Sequence, residues 1–127
     1  MMYRSMLQIY VKNSVEAAAF YRKAFGVDAM DCEYKNDDGS YMHSEMNIFG
    51  QALAISETVP EWNGVALGNT MQFCLHMSEG KEDIVRKAYD VLKVDAIKDE
   101  GLVTDCGYSP LQFSVRDQYG VYWCMFV

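Results

Sequence analysis

Two short stretches carry the residue types best suited to chemistry. In Tyr41-Met-His-Ser-Glu-Met-Asn-Ile-Phe49, one residue separates His43 from Glu45. On an extended chain that spacing puts both on one face, where they can share a proton and shift each other's pKa. They are the candidate catalytic acid and base. The alternative is a hydrogen-bonded polar pair that lines a ligand site without chemistry, and this is the preferred reading. Met71-Gln-Phe-Cys-Leu-His76 puts Gln72, Cys74 and His76 on one face in the same way. His76 closes its stretch just before Ser78 and reads as a rim or structural histidine. A nucleophilic cysteine needs a helix N-terminus or a cation to lower its pKa. Neither Cys74 nor Cys124 has an evident one in the sequence, so both read as small buried thiols.

The bulk composition narrows the classes. A chain of 127 residues, 50% hydrophobic and 23% charged, is expected to form one soluble globular domain. A net charge of −7 disfavours nucleic acid and anionic membranes as partners, because phosphate binding needs clustered Lys and Arg. No apolar run is long enough to span a bilayer. The stretch MMYRSMLQIYVKNS lacks the apolar segment and cleavage site of a signal peptide, so a cytoplasmic location is expected. The four cysteines, Cys32, Cys74, Cys106 and Cys124, form no CxxC pair. They fit reduced thiols better than a disulfide framework or zinc ribbon. Nine methionines suit an adaptable core or a pliable binding surface.

Periodicity gives the elements that position these residues. Met6 to Val11 alternates, with Leu7, Ile9 and Val11 on one face and Met6, Gln8 and Tyr10 on the other. Asn13 reads as an N-cap with Glu16 as its capping-box partner. Ala17, Ala18, Tyr21, Ala24 and Phe25 recur at helical spacing, and Gly26 is a natural stop. Strands are expected over Val27 to about Tyr34, Tyr41 to Phe49 and Ala52 to Ser56, with turns at 36–39 and Gly50. Residues 57–69, with Pro60, Asn63, Gly64 and Gly68, read as a linker, in which Trp62 has no assigned role.

The order then repeats. Met71 to His76 is a strand in which Met71, Phe73 and Leu75 pack inward. Ser78 caps a helix whose face is Ile84, Ala88, Val91 and Leu92. A strand begins over Val94 to Ile97, and 101–110 is turn-rich. Leu111 to Val115 and Val121 to Val127 are strands joined by a turn at Asp117-Gln-Tyr-Gly120. The chain therefore reads βαβββ twice, as modules 1–56 and 70–127, and both helix exits carry Val-Asp-Ala. Parity puts His43, Glu45 and Asn47 opposite the apolar Met46 and Ile48, and the turn at Gly50 sets Glu45 across from about Ala54.

This organisation resembles the vicinal oxygen chelate superfamily, the glyoxalase/bleomycin-resistance/dioxygenase fold. The similarity lies in the helix Asn13-Ser-Val-Glu-Ala-Ala-Ala-Phe-Tyr-Arg-Lys-Ala-Phe-Gly26 and the hairpin Asp117-Gln-Tyr-Gly-Val-Tyr-Trp123. The stretch from Tyr41 to Glu57 is similar to the PhnB-like subgroup, which also begins this strand with a histidine. The resemblance implies an α+β fold: two tandem βαβββ modules forming an open, cleft-lined mixed sheet, within a single glyoxalase-like domain over 1–127. It implies that Cys124 faces the cleft with Tyr122 and Phe126. The ligand-binding candidates are then Gln8, Tyr10, His43, Glu45, Asn47, Gln72, Cys74, Tyr122 and Cys124. The metal-binding positions that it implies fall on Met6, Ala54, Gln72 and Cys124. Only Gln72 is a family-type ligand there, so no metal or other cofactor is expected. A displaced divalent-metal site on His43, Glu45 and Gln72 is the alternative.

The expected function is binding of a small organic molecule, uncharged or a cationic aromatic, by a homodimer. The alternative is a metal-dependent lyase, isomerase or transferase in the same cleft. The fold hosts many activities, so it names no substrate.

Overall fold

The computed structural model describes every residue except 60, 62–65 and 69. The expected linker residues Pro60, Trp62, Asn63 and Gly64 thus lie outside the described residues. The chain forms two compact units, Met1–Ala66 and Leu67–Val127. Unit 1 contains β1 (Leu7–Val11), α1 (Ser14–Phe25), β2 (Cys32–Lys35), β3 (Tyr41–Ile48) and β4 (Gln51–Glu57). Unit 2 contains β5 (Phe73–His76), α2 (Glu82–Leu92), β6 (Lys98–Thr104), β7 (Leu111–Arg116) and β8 (Tyr122–Phe126). Each is a βαβββ module with a four-stranded mixed sheet, ordered β1-β4-β3-β2 in unit 1 and β5-β8-β7-β6 in unit 2. No described helix is long and apolar enough to cross a membrane.

In unit 1, Ala17, Ala18, Tyr21, Ala24 and Phe25 of α1 are buried, as their spacing predicts. They cover the sheet face that carries Ile9, Val11, Met46, Ile48, Leu53 and Ile55. Gly26 ends α1 at φ 68°, and the Val27 N–H donates back to the Arg22 carbonyl at 2.9 Å. The start of α1 corrects the expected capping box. Asn13 has left-handed backbone at φ 60° and makes no side-chain cap bond. The cap is Glu57, at the end of β4. Its carboxylate accepts from the Asn13 N–H (3.0 Å), the Ser14 N–H (2.9 Å) and the Ser14 hydroxyl (2.8 Å). Buried Ser14 Oγ in turn accepts from the Tyr41 N–H at 2.9 Å. An anion from another strand thus satisfies the exposed helix donors and their dipole.

In unit 2, α2 buries Val85, Ala88, Tyr89 and Leu92, not the expected stripe of Ile84, Ala88, Val91 and Leu92. Tyr89 turns the helix. Its ring lies 5.4 Å from Phe113, and its hydroxyl donates to Asp99. Ser78 does not cap α2, which starts four residues later; it opens a turn closed by Lys81 N–H to Ser78 O at 3.2 Å. Met71 is 74% exposed instead of packed inward, because pairing with β8 starts at Phe73 opposite Trp123. β2 begins at Cys32, later than expected. β6 begins at Lys98, after the expected start at 94–97, and enters only the first part of the expected turn before ending at Thr104, with a bulge at Gly101 (φ 83°) whose N–H donates to Asp99 Oδ1 at 2.8 Å.

The β7–β8 turn is tied by one buried carboxylate. Asp117 Oδ1 accepts from the Tyr119 N–H (2.9 Å) and the Val121 N–H (3.1 Å), and Oδ2 accepts from Trp123 Nε1–H (2.9 Å). Asp117 and Trp123 are both fully buried, and Gly120 takes φ 90° to let the chain reverse. This explains the spacing Asp-x-x-Gly-x-x-Trp. Truncating Asp117 strands three donors. Asp117→Ala is therefore expected to destabilise the protein by about 3 kcal/mol and Glu57→Ala by about 1–2 kcal/mol, read from urea unfolding midpoints. An Asp117→Ala protein that unfolds with the parent would remove the carboxylate from this role.

Candidate functional site

Pairing register sets which residues share a face. In unit 1, Gln8 lies beside Ala54, Ala54 beside Glu45, and Glu45 beside Cys32. These four form one row across all four strands, on the face away from α1. The expected pairing of Glu45 with Ala54 is what the structure shows. Tyr10 pairs with Ser56, and His43 with Tyr34, on the same face. The β3–β4 turn that fixes this register has positive φ at both Phe49 (55°) and Gly50 (91°), as a two-residue hairpin turn requires. Asn47 serves that turn: its Oδ1 accepts from the Gly50 N–H at 2.7 Å.

Glu45 is the centre of this face. It is 9% exposed and carries a fully partnered carboxylate. Arg4 Nη1 donates to Oε1 at 2.6 Å and Nη2 to Oε2 at 3.1 Å, a two-pronged pair. His43 Nε2 lies 2.7 Å from Oε2. The Arg4 bonds, then the His43 bond, hold the Glu45 carboxyl at about 2, against the pull of burial. Cys32 adds a third side chain, with its sulfur and the ligating atoms of His43 and Glu45 all within 4.8 Å of one another. Burial first, and the Glu45 charge second, push the Cys32 thiol up. Around these groups Gln8 Nε2 donates to Ser56 Oγ at 3.1 Å, Tyr34 tilts against His43 at 6.5 Å, and Tyr10 and Tyr34 are 44% and 57% exposed.

In unit 2 the corresponding row is Cys74, Cys124 and Ser114. Gln72 Nε2 donates to Ser114 Oγ at 3.2 Å, and its Oε1 accepts from the Cys74 thiol at 3.5 Å. Gln112 Nε2 reaches Ser114 Oγ at 3.3 Å and the Cys124 sulfur at 3.8 Å. Cys124 is buried; Cys74 is exposed, because it lies on the short strand β5 and not in the packed middle of the sheet. Burial, then the neighbouring Cys124, push the Cys74 thiol up, which is the wrong direction for a nucleophile. His76 ends β5 and stacks on Phe126 at 4.3 Å. Tyr122 donates to Glu100 at 3.2 Å and lies under the Arg116 guanidinium.

The sequence-predicted residues therefore divide between the units: Gln8, Tyr10, His43, Glu45 and Asn47 in unit 1, and Gln72, Cys74, Tyr122 and Cys124 in unit 2. His43 and Glu45 are bonded to each other. Arg4 and Cys32 are the residues that sequence reasoning missed. Arg4 precedes β1 in a segment without periodicity. Cys32 reaches the row only through a register shift at Tyr34/Lys35. As an acid/base pair the site is poor: a carboxylate held at about 2, with both oxygens occupied, has little affinity for a proton at neutral pH.

The family-implied metal positions do not fit a hard divalent cation. Ala54 is a buried methyl without a donor atom, and Met6 offers a thioether. Gln72 and Cys124 are engaged with Ser114, Cys74 and Gln112.

The model of the Glyoxalase/Bleomycin resistance protein/Dioxygenase superfamily matches residues 5–125, and the chain belongs to that superfamily. Its fold is shared by a Pseudomonas aeruginosa protein at TM-score 0.77 and 15% identity, covering 98% of this chain and 97% of that one. A Bacillus cereus PhnB protein, described as a putative 3-demethylubiquinone-9 3-methyltransferase, is similar at TM-score 0.77 and 17% identity, with coverage of 97% and 98%. The fosfomycin resistance protein FosX of Listeria monocytogenes is similar at TM-score 0.71 and 11% identity, with coverage of 99% and 94%. No curated protein matches the chain.

The depressed Glu45 carboxyl has a pH consequence. The groups facing it are Arg4, His43 and Cys32. Its folded value of about 2 lies below the ordinary 4.5, so the unfolded chain binds the proton more tightly. The cluster's stabilisation is complete above about pH 4.5 and is lost as pH falls towards 2. Carboxyl ¹³C shifts are expected to show Glu45 titrating near the low end, and moving up in Arg4→Gln. An unmoved titration would mean that Arg4 does not hold the carboxylate in solution.

Proposed function

We propose that the protein binds a small organic molecule on the unit 1 face that carries Tyr10, Tyr34, His43 and Glu45. The observation behind this is the Glu45 carboxylate, fixed by Arg4 and His43, with the exposed Tyr34 ring against His43 and exposed Tyr10 on the same sheet face. The cluster orients polar atoms beside apolar ring surface without leaving an available base, which suits recognition better than proton transfer. A planar ligand that stacks on Tyr34 and hydrogen-bonds His43 matches these groups. Gln8, on the same unit 1 face, belongs to this proposal as a secondary contact; Gln72, Cys74, Tyr122 and Cys124 are proposed as contact residues of the unit 2 face by itself.

Membership of the superfamily supports the small-molecule class, and the Bacillus cereus PhnB protein supports placement in the PhnB-like group. A solved FosX variant holds Mn(II) and a dihydroxypropylphosphonic acid. Ala54 argues against transferring that metal chemistry to this chain. A homodimer and a cytoplasmic location complete the proposal. Exposed Tyr3 and Met42 support the former, and four free thiols the latter.

The test is a metabolite screen by ligand-observed NMR with the full chain. A hit is expected to lose about tenfold or more in affinity in both Tyr34→Ala and His43→Ala. A ligand whose affinity neither change moves would place recognition elsewhere. With methylglyoxal, glutathione and added Ni²⁺ or Zn²⁺, no glyoxalase I turnover is expected; robust turnover would overturn the binding-protein reading.

A further inference from the structure

The geometry points to a soft divalent-cation site, of the zinc class, on Cys32, His43 and Glu45 of unit 1, which Arg4 closes in the arrangement described. This goes beyond the proposed function and does not depend on an organic ligand. The site uses β2 and β3, not the family-implied positions at Met6 and Ala54.

Three observations carry it. The first is donor type. A thiolate, an imidazole and a carboxylate form a mixed S/N/O set that zinc accepts, whereas magnesium and calcium prefer oxygen alone. The second is spacing. Tetrahedral zinc, with bonds of about 2.0–2.3 Å, puts its donors roughly 3.3–3.6 Å apart. The three donor atoms here lie within 4.8 Å of one another, and His43 Nε2 and Glu45 Oε2 are 2.7 Å apart. Small rotations of three side chains bridge the difference, with no backbone movement, because the Cys32–Glu45 register and the alternation along β3 already point all three the same way. The third is the occupant. Arg4 places a cation against both Glu45 oxygens. It comes from the segment before β1, its side chain is 43% exposed, and it can leave without disturbing the sheet.

The charges balance in the exchange. Arg4 withdraws its single positive charge to solvent. The metal supplies two, which compensate the Glu45 carboxylate and a Cys32 thiolate, and the thiol proton passes to buffer. Neutral His43 is the third donor. A fourth position stays open for water or a ligand atom. Arg4 and the metal compete for one carboxylate, so removing the arginine should tighten metal binding.

The test is Co²⁺ titration of the chelator-treated full chain, read by absorption in the absence of any organic ligand. The expected result is a thiolate-to-cobalt band in the near ultraviolet with visible bands of a tetrahedral ion. Cys32→Ser should abolish the near-ultraviolet band. His43→Ala should weaken binding by about tenfold or more, and Arg4→Gln should strengthen it roughly tenfold. Bands seen only in Arg4→Gln would still support the site, with the arginine as a tight gate. Should Cys32→Ser misfold, cobalt should still slow iodoacetamide labelling of Cys32, but not of Cys106, in the unaltered chain. The idea is overturned if neither the parent nor Arg4→Gln shows a thiolate band. It is equally overturned if the band survives Cys32→Ser and disappears in Cys74→Ser.

Discussion

A residue in a paired strand can point only to one face of the sheet or the other, and pairing register makes the choice. In unit 1 the parallel β1–β4 ladder and the antiparallel β4–β3 and β3–β2 ladders put Gln8, Ala54, Glu45 and Cys32 in one row. The neighbouring row, Leu7, Leu53 and Met46, lies on the opposite face with the α1 core. A slip of one residue would drive Glu45 under the helix and lift Met46 out of it. The cost of burying an unpaired carboxylate there, together with the apolar area lost, excludes the slipped pairing. The core and the functional face are thus two outcomes of one register.

The duplicated architecture makes the chemical difference between the units plain. The rows correspond, but unit 1 carries Gln8, Ala54 and Glu45 where unit 2 carries Cys74, Cys124 and Ser114. A neutral row satisfies itself locally, through Gln72, Gln112 and Ser114. A row with a nearly buried carboxylate cannot. Each charge removed from water costs several kcal/mol unless it is met by an opposite charge with good geometry. No cation stands in the unit 1 row itself, so one must come from outside the ladder, and Arg4 does. The N-terminal segment is therefore part of the site because of an electrostatic requirement that the strands create but do not meet.

What was legible in the sequence is what depends on period and turn type. Alternation along 41–49 identified the face of His43 and Glu45, and the Gly50 turn identified Ala54 as the partner of Glu45. The α1 stripe was equally clear, since five residues at helical spacing left one solution. The α2 stripe was not, because Ile84 and Val91 compete with Val85 and Tyr89 for the same core, and the fit of Tyr89 against Phe113 and Asp99 decides between them. The omissions of Arg4 and Glu57 share another cause: both act through side-chain bonds across long sequence separations. Arg4 lies 41 residues from Glu45, and Glu57 lies 43 from Ser14. Such bonds have no local signature. Asn13 looked like a cap because it has the residue type of one, but a carboxylate from β4 took the position.

Ala54 shows how the chemistry of a row can change without altering the fold. It stands in the row between Gln8 and Glu45 and contributes a methyl, so neither neighbour finds a donor or acceptor there. Adjacent strands are about 4.8 Å apart, so polar groups placed one or two strands further along the row lie only some 5–10 Å away. In this chain the strong donors sit on β3 and β2: Glu45 and His43 on one, Cys32 on the other. The sheet backbone needs no change for this, because ladder hydrogen bonds are indifferent to the side chains above them. A charge placed there needs only a partner. A cation on the chain, as Arg4 is, answers that need, and a metal ion from solution would answer it too. Both are drawn to the same two carboxylate oxygens, so occupancy by one excludes the other.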